Sequence, residues 1–222
     1  MGDVLSSTIE DLSLLGLYTG MGDIYIALME TEDTADAPAT YAAPILAAEG
    51  VSFGVTPNYA EGSQSASDRT IRKVSIPTGY TIKMEYPRML PAVRSAILGH
   101  VRDAKGGEIL ADVAAPFVAV GYAAHRDDGT SHMRWLYKVR FKERALDDKT
   151  AEDGSVSYGI PILEGDAVKC NNTITVGGRK VHPLRYDADT ADDTCTYTEA
   201  TFFKSVPQYA AEASASAAEA SA

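Results

Sequence analysis

A chain of 222 residues with 45% hydrophobic and 23% charged residues has the composition of a folded globular protein, which excludes disordered and collagen-like classes. Lys and Arg number 20 against 31 Asp and Glu, and the formal charge of −11 disfavours nonspecific attraction to nucleic-acid phosphates. No stretch approaches the roughly 18 to 20 consecutive apolar residues of a membrane-spanning helix.

Residues 1–20 form an N-terminal arm in which Ile9, Leu12, Leu15 and Leu17 are loosely helical and Gly16 and Gly20 punctuate the end. Asp3, Glu10 and Asp11 stand where an export signal carries basic residues, so the expected compartment is the cytosol. A β-domain over 21–208 follows. Strands are expected at Ile24–Met29, Val51–Thr56 and Thr70–Ile76. The alternation of Tyr80, Ile82, Met84 and Tyr86 gives another, entered from a turn at Pro77-Thr78-Gly79. Asn58–Asp68 is read as a long polar loop, of a length that is functional or disordered in a compact domain.

One helix is predicted, with Pro91 in its first turn, Val93, Ala96 and Ile97 on one face and Gly99 at its stop. Gly106-Gly107 marks a hairpin turn. Pro116–Ala124 is apolar on both faces, and Asp127-Asp128-Gly129 links it to a long strand, His132–Arg144. On that strand the odd positions Met133, Trp135, Tyr137, Val139 and Phe141 read as core. The even positions include Arg134, Lys138 and Arg140, a basic face that is either solvated or meets acidic loops of a second copy. Acidic loops are expected at Asp147–Ser155 and Asp187–Asp193. Further strands are expected at Val156–Leu163, Asn172–Val176, Lys180–Leu184 and Thr198–Val206, with Gly177-Gly178 turning the middle pair. Tyr209–Ala222 is almost wholly Ala, Ser and Glu and reads as a flexible tail, because it has no large apolar residue to bury after Tyr209.

The fold class is therefore mainly β, a sandwich or barrel with one short flanking helix and flexible terminal segments. The segment His125 to His132 holds two His, two Asp and a Ser, but a hairpin tip accounts for Asp and Gly there without a metal. The run from Asp187 resembles half of a calcium loop yet has Asp192 and Thr198 where Gly and Glu belong, so a solvated acidic turn is preferred. No phosphate loop, nucleophile elbow or zinc-protease motif occurs, and no enzyme activity is expected. Cys170 and Cys195 lack metal or redox spacing and read as buried, reduced thiols.

In order and spacing, several segments resemble the major tail proteins, or tail tube proteins, of long non-contractile, siphovirus-type phage tails. These are MGDIYIAL from Met21, TYAAPILAAEGVSFGVTPN, SDRTIRKVSIPTGYTIKMEYPRMLPAVRSAILGH, DAKGGEIL, PFVAVGYAAHRDDG, RWLYKVRF and ATFFKSVPQ, which together span Met21 to Gln208. The resemblance implies a virion protein that forms stacked hexameric rings, a tube through which DNA passes during ejection. It implies no cofactor and no catalytic residue. It also implies tape-measure, terminator and distal tail proteins as partners, no membrane, and a place in the virion tail after assembly in the host bacterial cytoplasm. Two contact regions between subunits are expected: the Asn58–Asp68 loop (Asn58, Tyr59, Glu61, Gln64, Asp68) and the basic face (Arg134, Lys138, Arg140). The alternatives are another virion part, such as a tail terminator or head-decoration protein, and an all-β module binding carbohydrate or peptide.

Overall fold

The structure, a computed structural model, describes residues 15–66, 69–110, 112–143, 160–176 and 178–209. The acidic loop expected at Asp147–Ser155, the start of the Val156–Leu163 strand, Asp68, Gly177 and most of both terminal segments lie outside the described residues.

Strands β1 (Tyr18–Thr31), β2 (Thr40–Tyr41), β3 (Ile45–Ala48), β4 (Ser52–Ala66) and β5 (Arg69–Glu85) precede helix α1 (Pro91–Leu98). After it come β6 (Val101–Arg102), β7 (Glu108–Ile109), β8 (Val118–Arg126), β9 (Ser131–Lys142), β10 (Ile162–Val168), β11 (Ile174–Val176), β12 (Arg179–Val181), β13 (Arg185–Asp189) and helix α2 (Glu199–Phe202). Among the described residues, nine strands form one antiparallel sheet in the order β2-β1-β8-β9-β10-β5-β4, with β3 also on β1 and β13 also on β9. The mainly β class is thus the observed one.

The sheet curls around one apolar core and carries a second on its outer face. Inside lie Ile24 and Ile26 of β1, Ile82 and Met84 of β5, Val118 and Val120 of β8, Leu136, Val139 and Phe141 of β9, and Leu163 of β10. Val93, Ile97 and Leu98 bring α1 onto this core, which is what stabilises a helix of only two turns. Pro91 opens the helix and Gly99 closes it with φ 73°, as the sequence predicts.

The second core gathers Ala27, Ala119, Ala123, Met133, Trp135 and Ala188 under Phe202 and Phe203. Gly121 belongs to this face because Trp135 lies across it: an added Cβ would stand 2.8 Å from the indole ring. The indole N–H donates to the Phe202 carbonyl at 3.1 Å, so burial leaves it satisfied.

Several sequence expectations are corrected. β1 begins at Tyr18, inside the stretch assigned to the N-terminal arm. Pro77-Thr78-Gly79 is no turn, since β5 runs unbroken from Arg69 to Glu85 with a register shift at that point. Gly79 instead admits a neighbour: a Cβ there would lie 2.3 Å from the Ala167 carbonyl oxygen of β10. Of the strand expected at Val156–Leu163, residues 156–159 lie outside the described residues and its end falls in β10, Ile162–Val168; Asp187–Asp189 is strand rather than loop.

Thr198–Val206 is not a strand; it opens with α2, a second helix. Thr198 accepts the Thr201 amide while Thr201 Oγ1 accepts the Thr198 amide, a reciprocal cap. Phe202 and Phe203 are adjacent yet share one core, 5.2 Å apart and edge to face, whereas successive strand residues would point to opposite sides.

Candidate functional site

Asn58–Asp68 is the largest departure from expectation, because nearly all of it is strand. β4 pairs with β5 from Ser52↔Glu85 to Ala66↔Arg69, whereas β10 covers β5 only between Gly79 and Glu85. The pairs from Tyr59↔Pro77 to Ala66↔Arg69 therefore form a two-stranded arm with no third strand beside it among the described residues. At about 3.3 Å per residue it extends roughly 25 Å.

Polarity alone suggested a loop, but a ladder needs only backbone partners, and small polar side chains do not prevent pairing. Asn58 stands at the arm's root, where its amide donates to Thr81 Oγ1 and its carbonyl accepts from Thr78. Tyr59 is 54% exposed, and Ile76, opposite Ala60, is 58% exposed. Glu61 faces Lys73 at 3.8 Å across the ribbon, an exposed pair of small energetic weight. Gln64 pairs through its backbone with Arg72.

The basic face of β9 is also not as expected. Val118 pairs with Val139 but Val120 pairs with Leu136, so β9 contributes one residue more than β8 between these points. This bulge reverses the alternation. Met133 and Trp135 belong to the outer core, whereas Val139 and Phe141, also odd-numbered, belong to the inner one. Arg134 is half-buried, donating to the Tyr122 hydroxyl at 3.2 Å on the inner side. Arg140 lies 3.9 Å from the Phe117 ring centroid. Lys138 is 5% exposed and is no surface charge.

Lys138 is held instead by Asp33, a residue that carries no sequence signal beyond its polarity. Nζ lies 2.5 Å from Asp33 Oδ1, and the side chains are 6% and 0% exposed. The Asn171 amide donates to Asp33 Oδ2, and the Asn171 side chain donates to the Asp33 carbonyl at 3.3 Å. Burial works against the Asp33 carboxylate, but the bonds from Lys138 and Asn171 outweigh it and hold its pKa below the ordinary value. Burial and the nearby Asp33 push the Cys170 thiol up to about 12, so it stays protonated. Cys170 is buried as expected; Cys195 is only half-buried at the edge of the outer core.

The Asp127-Asp128-Gly129 hairpin is as the sequence predicts, with Gly129 at φ 83° and Asp128 accepting the Thr130 amide at 2.8 Å. Its carboxylates also hold the chain entering β1. Asp127 accepts the Leu17 amide and Asp128 the Gly16 amide. His125 and Ser131 both contact one Glu199 oxygen, at 2.8 and 2.7 Å. In the acidic run, Asp189 binds Arg126, and Asp192 accepts from the Thr194 amide and hydroxyl. Among the described residues, no group of three or more His, Cys, Asp and Glu is placed to hold a metal ion.

Among the described residues, one cleft of about 140 Å³ lies beside Tyr137 and another of about 240 Å³ beside the Tyr186–Tyr197 segment. Both fall below the roughly 300 Å³ at which small-molecule sites begin. Neither the family models nor the curated proteins contain a match to this chain.

Proposed function

We propose that this chain is a structural subunit that polymerises with copies of itself, as a tail tube protein of the siphovirus-type phages it resembles. One observation carries the reading: the arm formed by Tyr59–Ala66 and Arg69–Pro77, a two-stranded ribbon that has no third strand beside it among the described residues. A lone hairpin is at best marginally stable in water, and its outer edges present unpaired N–H and C=O groups. A neighbouring subunit that supplies further strands satisfies both deficits. An arm that docks on a neighbour's body, rather than on a second arm, makes a heterologous contact, which generates rings or stacked assemblies.

Charge fits a conduit. A ring of subunits each carrying −11 repels a polyanion, which favours passage of DNA over retention. Arm contacts replace the expected role of Lys138, whose charge is spent within its own chain.

Negative-stain microscopy of the purified protein tests the reading. Tubes or stacked rings are expected. Monomers at high concentration overturn it, and single closed rings that never stack convert it to a terminator-type role.

A further inference from the structure

We propose that Lys138 and Asp33 are joined by an intramolecular amide bond, formed by the folded chain itself. The two groups are brought together by the fold and not by the sequence: they lie 105 positions apart, Asp33 just beyond β1 and Lys138 at the β9 bulge, with β8 between the two strands. The amine nitrogen is 2.5 Å from the carboxyl oxygen, with the carboxyl side chain fully enclosed. The Phe117 ring stands 4.9 Å from Nζ and closes the site on that side.

The reactive form is the neutral amine beside the neutral acid, which the ion pair reaches by passing one proton across the direct Nζ–Oδ1 contact. Enclosure keeps out the water that would drive the bond back toward hydrolysis. The Asn171 amide N–H, already directed at Oδ2, sits where negative charge develops on attack.

The step balances without a further reagent. One proton passes from Nζ to Oδ1, and the freed nitrogen lone pair attacks Cγ while the carbonyl electron pair moves onto Oδ2. The carbonyl then re-forms, the C–Oδ1 bond breaks, and Oδ1 leaves as water with a second proton from the nitrogen. One C–N bond replaces one C–O bond, with no change of oxidation state. The product ties the end of β1 to β9 across β8, a covalent strap over three neighbouring strands.

Mass spectrometry of the purified full chain, unfolded after purification, tests this. A mass lower by one water is expected, with a tryptic map in which the peptide holding Asp33 is joined to the one holding Lys138 and cleavage after Lys138 is absent. Lys138→Arg keeps the positive charge and should restore the full mass. An unmodified mass with normal cleavage at Lys138 overturns the proposal. So does a water loss that persists in Lys138→Arg, which would mark a cyclised aspartate instead. If the Arg variant does not fold, the wild-type map alone still decides.

Discussion

Arg126 is 3% exposed in its side chain, and its two terminal nitrogens each donate to Asp189 at 2.7 Å. This bidentate pair fixes β13 against the hairpin between β8 and β9, and Tyr18 adds a hydroxyl acceptor at 2.9 Å. Arg126 binding holds the Asp189 carboxyl at about 2, below its usual 3.8. A carboxylate with a depressed folded-state pKa stabilises the fold above its unfolded pKa and loses that contribution as pH falls through the folded value. The window therefore runs from about pH 4 down to about pH 2, and the contribution at neutral pH is about 2 kcal/mol. Asp189→Asn should cost at least that much at pH 7, because the buried guanidinium keeps its charge and loses its counter-ion. Urea unfolding at pH 7 and near pH 3 checks it: the gap between wild type and variant should narrow in acid. A gap unchanged with pH would assign the cost to packing. Asp189 was visible in the sequence only as part of an acidic run; its role depends on Arg126, 63 positions away, which no local pattern links to it.

At the level of elements, the arm is separable from the body, since the last β10 contact on β5 is at Gly79 and the arm's pairs begin at Pro77. Replacing residues 61–75 by Asn-Gly, so that Ala60 and Ile76 flank a two-residue turn, should leave thermal unfolding and near-ultraviolet circular dichroism of the body intact. The same change should abolish tubes in negative stain. Normal tubes from the shortened chain would remove the arm from the assembly mechanism. The arm's existence was hidden because Asn58–Asp68 is polar and β pairing is a matter of partners, whereas locally encoded features were legible: Pro91 and Gly99 bound α1, and Asp127-Asp128-Gly129 turns the β8–β9 hairpin. The β9 bulge was equally hidden. An extra residue on one strand changes nothing in the composition of either, yet it moves Val139 and Phe141 to the opposite side from Trp135 and takes Lys138 into the interior. Thr198–Val206 failed for a related reason: its aromatics suit a strand, but a threonine cap and the outer core draw them into a helical turn.

For the whole molecule, the internal commitment of the basic residues changes what would hold copies together in the proposed assembly. A basic strand face docking on acidic loops would make assembly weaken as salt rises, because screening removes the attraction. With Lys138 bound to Asp33, Arg134 to Tyr122 and Arg126 to Asp189, those side chains are turned inward, and in the proposed assembly each subunit would meet the next with a net charge of −11. Like-charged subunits repel, while backbone pairing along an arm is nearly indifferent to ionic strength. Raising salt from about 0.01 M to about 0.15 M shortens the screening length from about 30 Å to about 8 Å, less than the length of the arm. Assembly followed by light scattering should therefore increase over that range, with the critical concentration falling as salt is added. A rise in critical concentration with salt would instead place opposite charges at the joint, and charge reversal at Arg140, which stands over Phe117 and is only half-buried, would then identify the partner surface.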